Sequence, residues 1–201
     1  MSPATMTNLR NVHRFTVDEY YQMGEVGLLP MDDPSVELID GQVIDVAAFS
    51  PWHAAVNSEL AATFLLHDTE ERTVVSVRNP IRFDEINEAV PDVLLLEHRR
   101  SYYGDRHPGP SDAYLLIEVA DSAIDYVREV KVPLYARFGM REVWVIDLKD
   151  QAVSTFREPA GGAFTSVAVV KRGGFLAPTA LPQFSIAVDH ILGRGRGTLY
   201  E

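Results

Sequence analysis

The chain has 201 residues, 46% of them hydrophobic and 23% charged, a composition that suits one globular domain with a full core. It contains no cysteine, which excludes disulfides, thiolate metal sites and cysteine nucleophiles and fits a reducing, cytoplasmic setting. The formal net charge of −11 argues against coating of DNA by charge alone but allows a local basic groove, and no apolar run approaches the ~20 residues of a membrane helix.

In chain order, residues 1–14 read as a flexible polar leader without the apolar core of a secretory signal. Thr16 opens a helix, with Thr16 and Glu19 in the capping-box relation, and Gly24 and Gly27 end it. Asp32-Asp33-Pro34 is a turn. Residues 36–39 and 42–48 read as two strands joined by Asp40-Gly41, the preferred type I′ hairpin pair. Ser50 as N-cap and Pro51 at the first helical position start a helix that runs to about His67, with Trp52, Val56, Leu60 and Phe64 as its apolar stripe. Thr73 to Val77 is a β-branched strand, Pro80 to Phe83 extends it or forms its neighbour, and Glu85 to Ala89 is a polar turn. Val93 to Leu96 is a short, continuously apolar strand of the kind buried on both faces. A long polar loop, residues 98–112, follows it; such loops are often functional.

The segment Ala113 to Leu148 reads as strand, loop, helix, strand. Tyr114 to Val119 is apolar except for Glu118, Asp121 or Ser122 caps a helix that leads to Phe138, Gly139 closes it, and Val143 to Leu148 is again a buried strand. Pro133 removes a hydrogen bond from that helix. Either the helix kinks near Glu129, or its regular part starts at Val132 with Pro133 in the first turn. The last third is antiparallel: Ala152 to Arg157, a turn at 159–162, Phe164 to Val170, a turn at Gly173-Gly174, a last packed element from Phe184 to Leu192 and a frayed tail over 193–201. The pattern predicts a single α/β (α+β) domain over 15–192 with a mixed sheet.

Two acids interrupt the buried strands: Asp92, directly after Pro91, and Glu118. A carboxylate in such a place is costly without a partner. If the two strands are neighbours, both acids reach one point, where a hard cation such as Mg²⁺ or Mn²⁺ takes oxygen ligands. Lys131, on the intervening helix, could then hold a water or stabilise charge on a phosphate, giving metal-assisted phosphodiester hydrolysis. Spacing alone favours a plainer arrangement, in which Glu118 pairs with Lys131 or Arg128 and Asp92 caps a turn.

Pro91-Asp92 followed by Glu118-Val119-Ala120 resembles the PD-(D/E)XK nuclease signature with its lysine missing from the third position. One branch of that superfamily, the restriction-endonuclease-like Uma-two family, carries the lysine in the following helix. REVKVPLYARFGMREVWVIDL, which contains Lys131, is similar to that pattern, as are VELIDGQVI, SPWHAAV and HPGPSDAYLLIEVADS, in the same order over about residues 15–190. The resemblance implies a restriction-endonuclease-like mixed sheet flanked by helices, with extra antiparallel hairpins. It also implies Mg²⁺ or Mn²⁺ at Asp92, Glu118 and the Val119 carbonyl, Lys131 as catalytic lysine, Glu37 as an accessory acid, DNA as substrate and room for a homodimer; the lack of a long apolar run already speaks for no membrane association. The family reads Tyr-Asp-Arg-Gly before the lysine, whereas this chain has Tyr126-Val127-Arg128-Glu129. In an α-helix that departure removes a polar partner four residues before Lys131, with Asp125 as a substitute at another angle. The alternatives are a degenerate nuclease fold that binds nucleic acid or a protein without cutting, and a structural module with unused acids.

Other residues have a functional and a plainer reading. His53 matches a family histidine and could face the site, but a polar residue in a first helical turn is the simpler reading. His98-Arg99-Arg100 could meet phosphates and Tyr102 and Tyr103 could stack on bases, against solvated and packed alternatives. Tyr135 lines a cleft or packs the core; Trp52 and Trp144 read as core. The six histidines have no zinc-site spacing.

Overall fold

The computed structural model describes residues 12–30, 36–46, 49–68 and 72–193. Helix α1 (Val17–Glu25) starts at the expected capping box: the Glu19 amide donates to the Thr16 hydroxyl and the Thr16 amide to the Glu19 carboxylate. Strands β1 (Val36–Ile39) and β2 (Gln42–Asp45) form the predicted hairpin. Its turn has φ of 49° at Asp40 and 71° at Gly41, the two positive values a type I′ turn demands. Gly41 has a second reason to be glycine. A Cβ there would lie 2.5 Å from that of Arg14, because the segment before α1 crosses the turn and the Phe15 amide donates to the Gly41 carbonyl. Arg14, expected to belong to a loose leader, therefore lies against this hairpin; 1–11, the turn at 32–34, residues 47–48 and the tail beyond 193 are outside the described residues. The second strand ends at Asp45. Short strands β4 (Ile81–Arg82) and β5 (Glu88–Ala89) complete an antiparallel sheet of order β2-β1-β5-β4, so the expected turn at 85–89 ends in a strand.

The larger sheet contains β3 (Thr73–Val77), β6 (Val93–Glu97), β7 (Ala113–Ala120), β8 (Glu142–Asp147), β9 (Ala152–Ala160) and β10 (Ala163–Lys171), in the order β10-β9-β8-β7-β6-β3. It is mixed: β7 and β8 run parallel, and the other neighbours are antiparallel. Side chains alternate across it. Val93, Leu95, Leu115, Ile117, Trp144 and Ile146 pack with Val56, Leu60 and Phe64 of α2 (Pro51–His67), while Leu94, Leu96, Leu116, Val143 and Val145 pack with Leu134 and Tyr135 on the other side. Burial on both faces is why these strands read as continuous apolar runs. The last expected element, 184–192, is split between strand β12 (Ile186–Ala187), paired with β11 (Phe175–Leu176), and helix α5 (Val188–Leu192).

Two features position the site. First, β6 and β7 are antiparallel neighbours with Val93 opposite Ile117, which brings Asp92, directly before β6, beside Glu118, near the end of β7. Second, the predicted helix after β7 is built in three parts: α3 (Ile124–Tyr126), a π-helical turn (Val127–Lys131) and α4 (Val132–Arg137). The Val132 amide donates to the Val127 carbonyl, an i→i+5 bond. The wider turn accommodates Pro133, which has no N–H to give the Glu129 carbonyl and whose ring an α-helical carbonyl there would meet. Of the two arrangements open to Pro133, the regular helix starting at Val132 is the one found.

Candidate active site

Asp92 is 3% exposed and both its oxygens are engaged. Oδ1 lies 2.7 Å from His53 Nε2 and accepts from Asn57 Nδ2 at 3.0 Å; Oδ2 accepts from the Val119 amide at 2.8 Å. Arg78 Nη1 stands 3.6 Å from Oδ1, and its guanidinium lies 3.6 Å above the Phe49 ring. Burial alone raises the Asp92 carboxyl, but the hydrogen bonds from His53, Val119 and Asn57 outweigh it and hold the group below the usual carboxylate range. His53 and Asn57 lie one turn apart on α2, so that helix presents both to the strand end.

Glu118 and Lys131 are each 3% exposed. Lys131 Nζ lies 2.8 Å from Glu118 Oε1 and donates to Glu37 Oε1 at 2.8 Å. The Tyr135 hydroxyl also donates to Glu118 Oε1, so Tyr135, fully buried, both packs the core and reaches the site. Glu37 Oε1 accepts from the Val90 amide at 2.7 Å, and its Oε2 is buried without a partner. Two carboxylates thus flank one buried ammonium. For Lys131 burial works against the charge, but Glu118 and Glu37 outweigh it and hold the lysine above its usual range. Glu118 is the surplus anion. Burial, opposed by Lys131 and reinforced by Asp92 and Glu37, pushes its carboxyl up to about 7.

Asp92, Glu118, Val119 and Lys131 line one cavity, together with His53, Arg78 and Tyr126. Glu37 is not on its wall and stands behind Lys131 as the lysine's second partner. Residues of one antiparallel strand direct N–H and C=O to the same edge, so the Val119 carbonyl projects to the edge where its amide meets Asp92. Among the described residues no group of three His, Cys, Asp or Glu side chains is placed to hold a metal ion. The donor set is instead two carboxylates and a carbonyl, all hard oxygens, in a site with surplus negative charge. That set suits Mg²⁺ or Mn²⁺, which complete their shell with water and substrate phosphate.

The plainer readings fare unevenly. Lys131 pairs with Glu118, but Arg128 pairs with Asp147, and Asp92 gathers side chains from α2 instead of merely capping a turn. His53 does face the site. Asp125 is exposed and does not replace an aspartate at 127. The loop at 98–112 leaves the far end of β6, about 16 Å from Asp92 along the strand. There Arg99 and Arg106 flank the Tyr103 ring and bind Asp112, so the loop is a packed knot. Trp144 is fully buried, and Trp52 is partly buried with its Nε1 on the Leu192 carbonyl. Asn57 and Arg78 gave weaker sequence signals: Asn57 is a polar residue four positions from His53 beside an apolar stripe, and Arg78 merely follows a strand.

The raised Glu118 carboxyl has a consequence for the metal-free protein. A group whose folded pKa exceeds its unfolded value of 4.5 stabilises the fold at low pH, and that contribution is lost as pH rises from about 4.5 through about 7. Glu118→Gln removes the titration. In chelator, the wild-type melting temperature should fall relative to the variant between pH 5 and 8, by an amount worth on the order of 3 kcal/mol. Parallel curves over that range would show that Glu118 is not the surplus acid.

Among known proteins, the model of the family Uma2 (the Uma-two family), described as "Putative restriction endonuclease", matches residues 17–189. A search of curated proteins found no match. Among solved structures the fold matches one titled as a "putative nuclease belonging to DUF820" from Anabaena variabilis. The TM-score is 0.68 at 16% identity, with 89% of this chain and 97% of that chain covered.

Proposed function

The chain belongs to the Uma2 family and has a nuclease-like fold, and from that premise we propose that it is a Mg²⁺- or Mn²⁺-dependent endonuclease hydrolysing phosphodiester bonds of DNA. The observation that carries this reading is convergence. Asp92, Glu118 and Lys131 come from three separate elements, and all three line one cavity at the end of the sheet.

Asp92, Glu118 and the Val119 carbonyl would hold the cation. His53 and Asn57 fix the Asp92 carboxylate in its ionised form and orientation, and Glu37 and Glu118 keep Lys131 charged. From that place the lysine donates to the attacking water and offsets charge on the phosphate. A bound divalent cation supplies charge neutralisation at the phosphate. Among the described residues no helix is long and apolar enough to cross a membrane.

The alternative, a fold that binds without cutting, drew on Val127. Yet Lys131 is already held by Glu37 and Glu118, so it has its partners without an aspartate at 127. The test is incubation of single- and double-stranded DNA with the protein in Mg²⁺, in Mn²⁺ and in chelator. Cleavage is expected only with metal, accompanied by a rise in melting temperature at millimolar metal. A folded protein that leaves both substrates intact in all three conditions refutes the reading.

A further inference from the structure

The π turn changes which residue lies beneath Lys131. In an α-helix the partner one turn earlier is four residues back, at Val127. A π turn closes over five residues, which brings Tyr126 to the lysine's face. Val127 lines the same cavity but is apolar, and it packs into the core cluster that holds Leu134, Val143 and Val145, so Tyr126 is the polar side chain this turn offers. Tyr126 lines the cavity with Lys131, Glu118 and Asp92, and its hydroxyl is shielded from solvent yet has no hydrogen-bond partner.

A buried, unpaired hydroxyl costs about 1–3 kcal/mol relative to a paired one, so it needs a reason. Structural neighbours do not supply one. Glu37 Oε1 and Glu118 Oε1 are bonded to Lys131, Tyr135 already donates to Glu118, and Glu37 Oε2, though itself unpaired, makes no hydrogen bond with the Tyr126 hydroxyl. π turns also concentrate at functional sites, where the widened turn presents a side chain that an α-helix would turn away.

We propose that Tyr126 is a substrate-binding residue whose hydroxyl, closed off from water in the protein alone, turns toward the cavity when a phosphodiester enters and donates a hydrogen bond to one of its non-bridging oxygens. The inference rests on the nuclease reading and extends it to a residue outside the carboxylate–lysine set. Burial, reinforced by the Glu37 carboxylate, raises the Tyr126 hydroxyl above the ordinary tyrosine range, so it remains a donor at all working pH values and does not act as a base. Pro133 has an indirect role: the turn it imposes aims Tyr126.

Tyr126→Phe separates this role from a structural one. Losing a donor to a charged oxygen should raise the Kd for a short DNA duplex in Ca²⁺ by about 10- to 100-fold and lower kcat/KM in Mg²⁺ at least as much. The melting temperature of the metal-free variant should be unchanged or higher, because the atom removed is unpaired in the protein alone. A variant that binds and cuts like the wild type overturns the proposal and leaves the nuclease reading standing. So does one that melts lower while keeping its DNA affinity. A wild-type protein that neither binds nor cuts DNA overturns the nuclease reading itself, and the role of Tyr126 with it.

Discussion

Lys131→Ala is expected to abolish DNA cleavage and to cost the fold about 3–5 kcal/mol. The two effects have one origin. The ammonium lies between Glu37 and Glu118, whose side chains are 0% and 4% exposed, and among the described residues no other cation is within ion-pair distance of either. Removing it leaves two buried carboxylates without a counter-charge. Each can escape only by taking up a proton, so the penalty should be small near pH 4.5 and grow towards pH 8. Urea titrations at the two ends of that range measure it. Adding Glu37→Gln to Lys131→Met should recover part of the stability and none of the activity, since the coupling between the pair is structural while the donor to water is gone. An alanine variant as stable as the wild type at pH 8 would mean that the three groups do not share a buried ion cluster.

Asp92→Asn is the second large effect. The carboxylate accepts from His53, Asn57 and the Val119 amide, and an amide side chain can match only part of that donor set. The negative charge is also lost from the cavity wall. Cleavage should fall by at least about 10²- to 10³-fold, and the rise in melting temperature caused by millimolar Mg²⁺ should disappear. Differential scanning fluorimetry with and without metal reads the second effect independently of activity. A metal-induced rise that survives in the variant would place the cation elsewhere.

Much of this site is legible in the amino-acid order. Asp92 and Glu118 stand out because a carboxylate inside an apolar run demands a partner, and a two-residue register shift would have separated them; antiparallel pairing of Val93 with Ile117 brings them together. Glu37 and Lys131 emerge from the family pattern, since nothing local in VELIDG or REVKVP shows that they meet across 94 positions. What local pattern misreads is the helix beneath the lysine. The four-residue spacing assumed for an α-helix makes Val127 the conspicuous residue, whereas the sequence feature that decides the register is Pro133, two positions beyond Lys131. Arg78 is hidden for a different reason. It faces Asp92 from a backbone in the left-handed region, φ 53°, and strand patterns carry no signal for that conformation. The long loop at 98–112 shows the opposite error. Its arginines and tyrosines have a nucleic-acid-binding composition, but strand β6 carries it to the wrong end of the sheet.

Whether Asp92, Glu118 and Lys131 form one metal-dependent hydrolytic site is decided by cleavage of double-stranded DNA by wild type, Asp92→Asn and Lys131→Ala, in Mg²⁺ and in chelator, at a low temperature where circular dichroism shows all three folded. The wild type should cut in Mg²⁺ alone and neither variant should cut. Wild-type rates in a folded variant, or equal cutting in chelator, would show that these three residues are not the hydrolytic site.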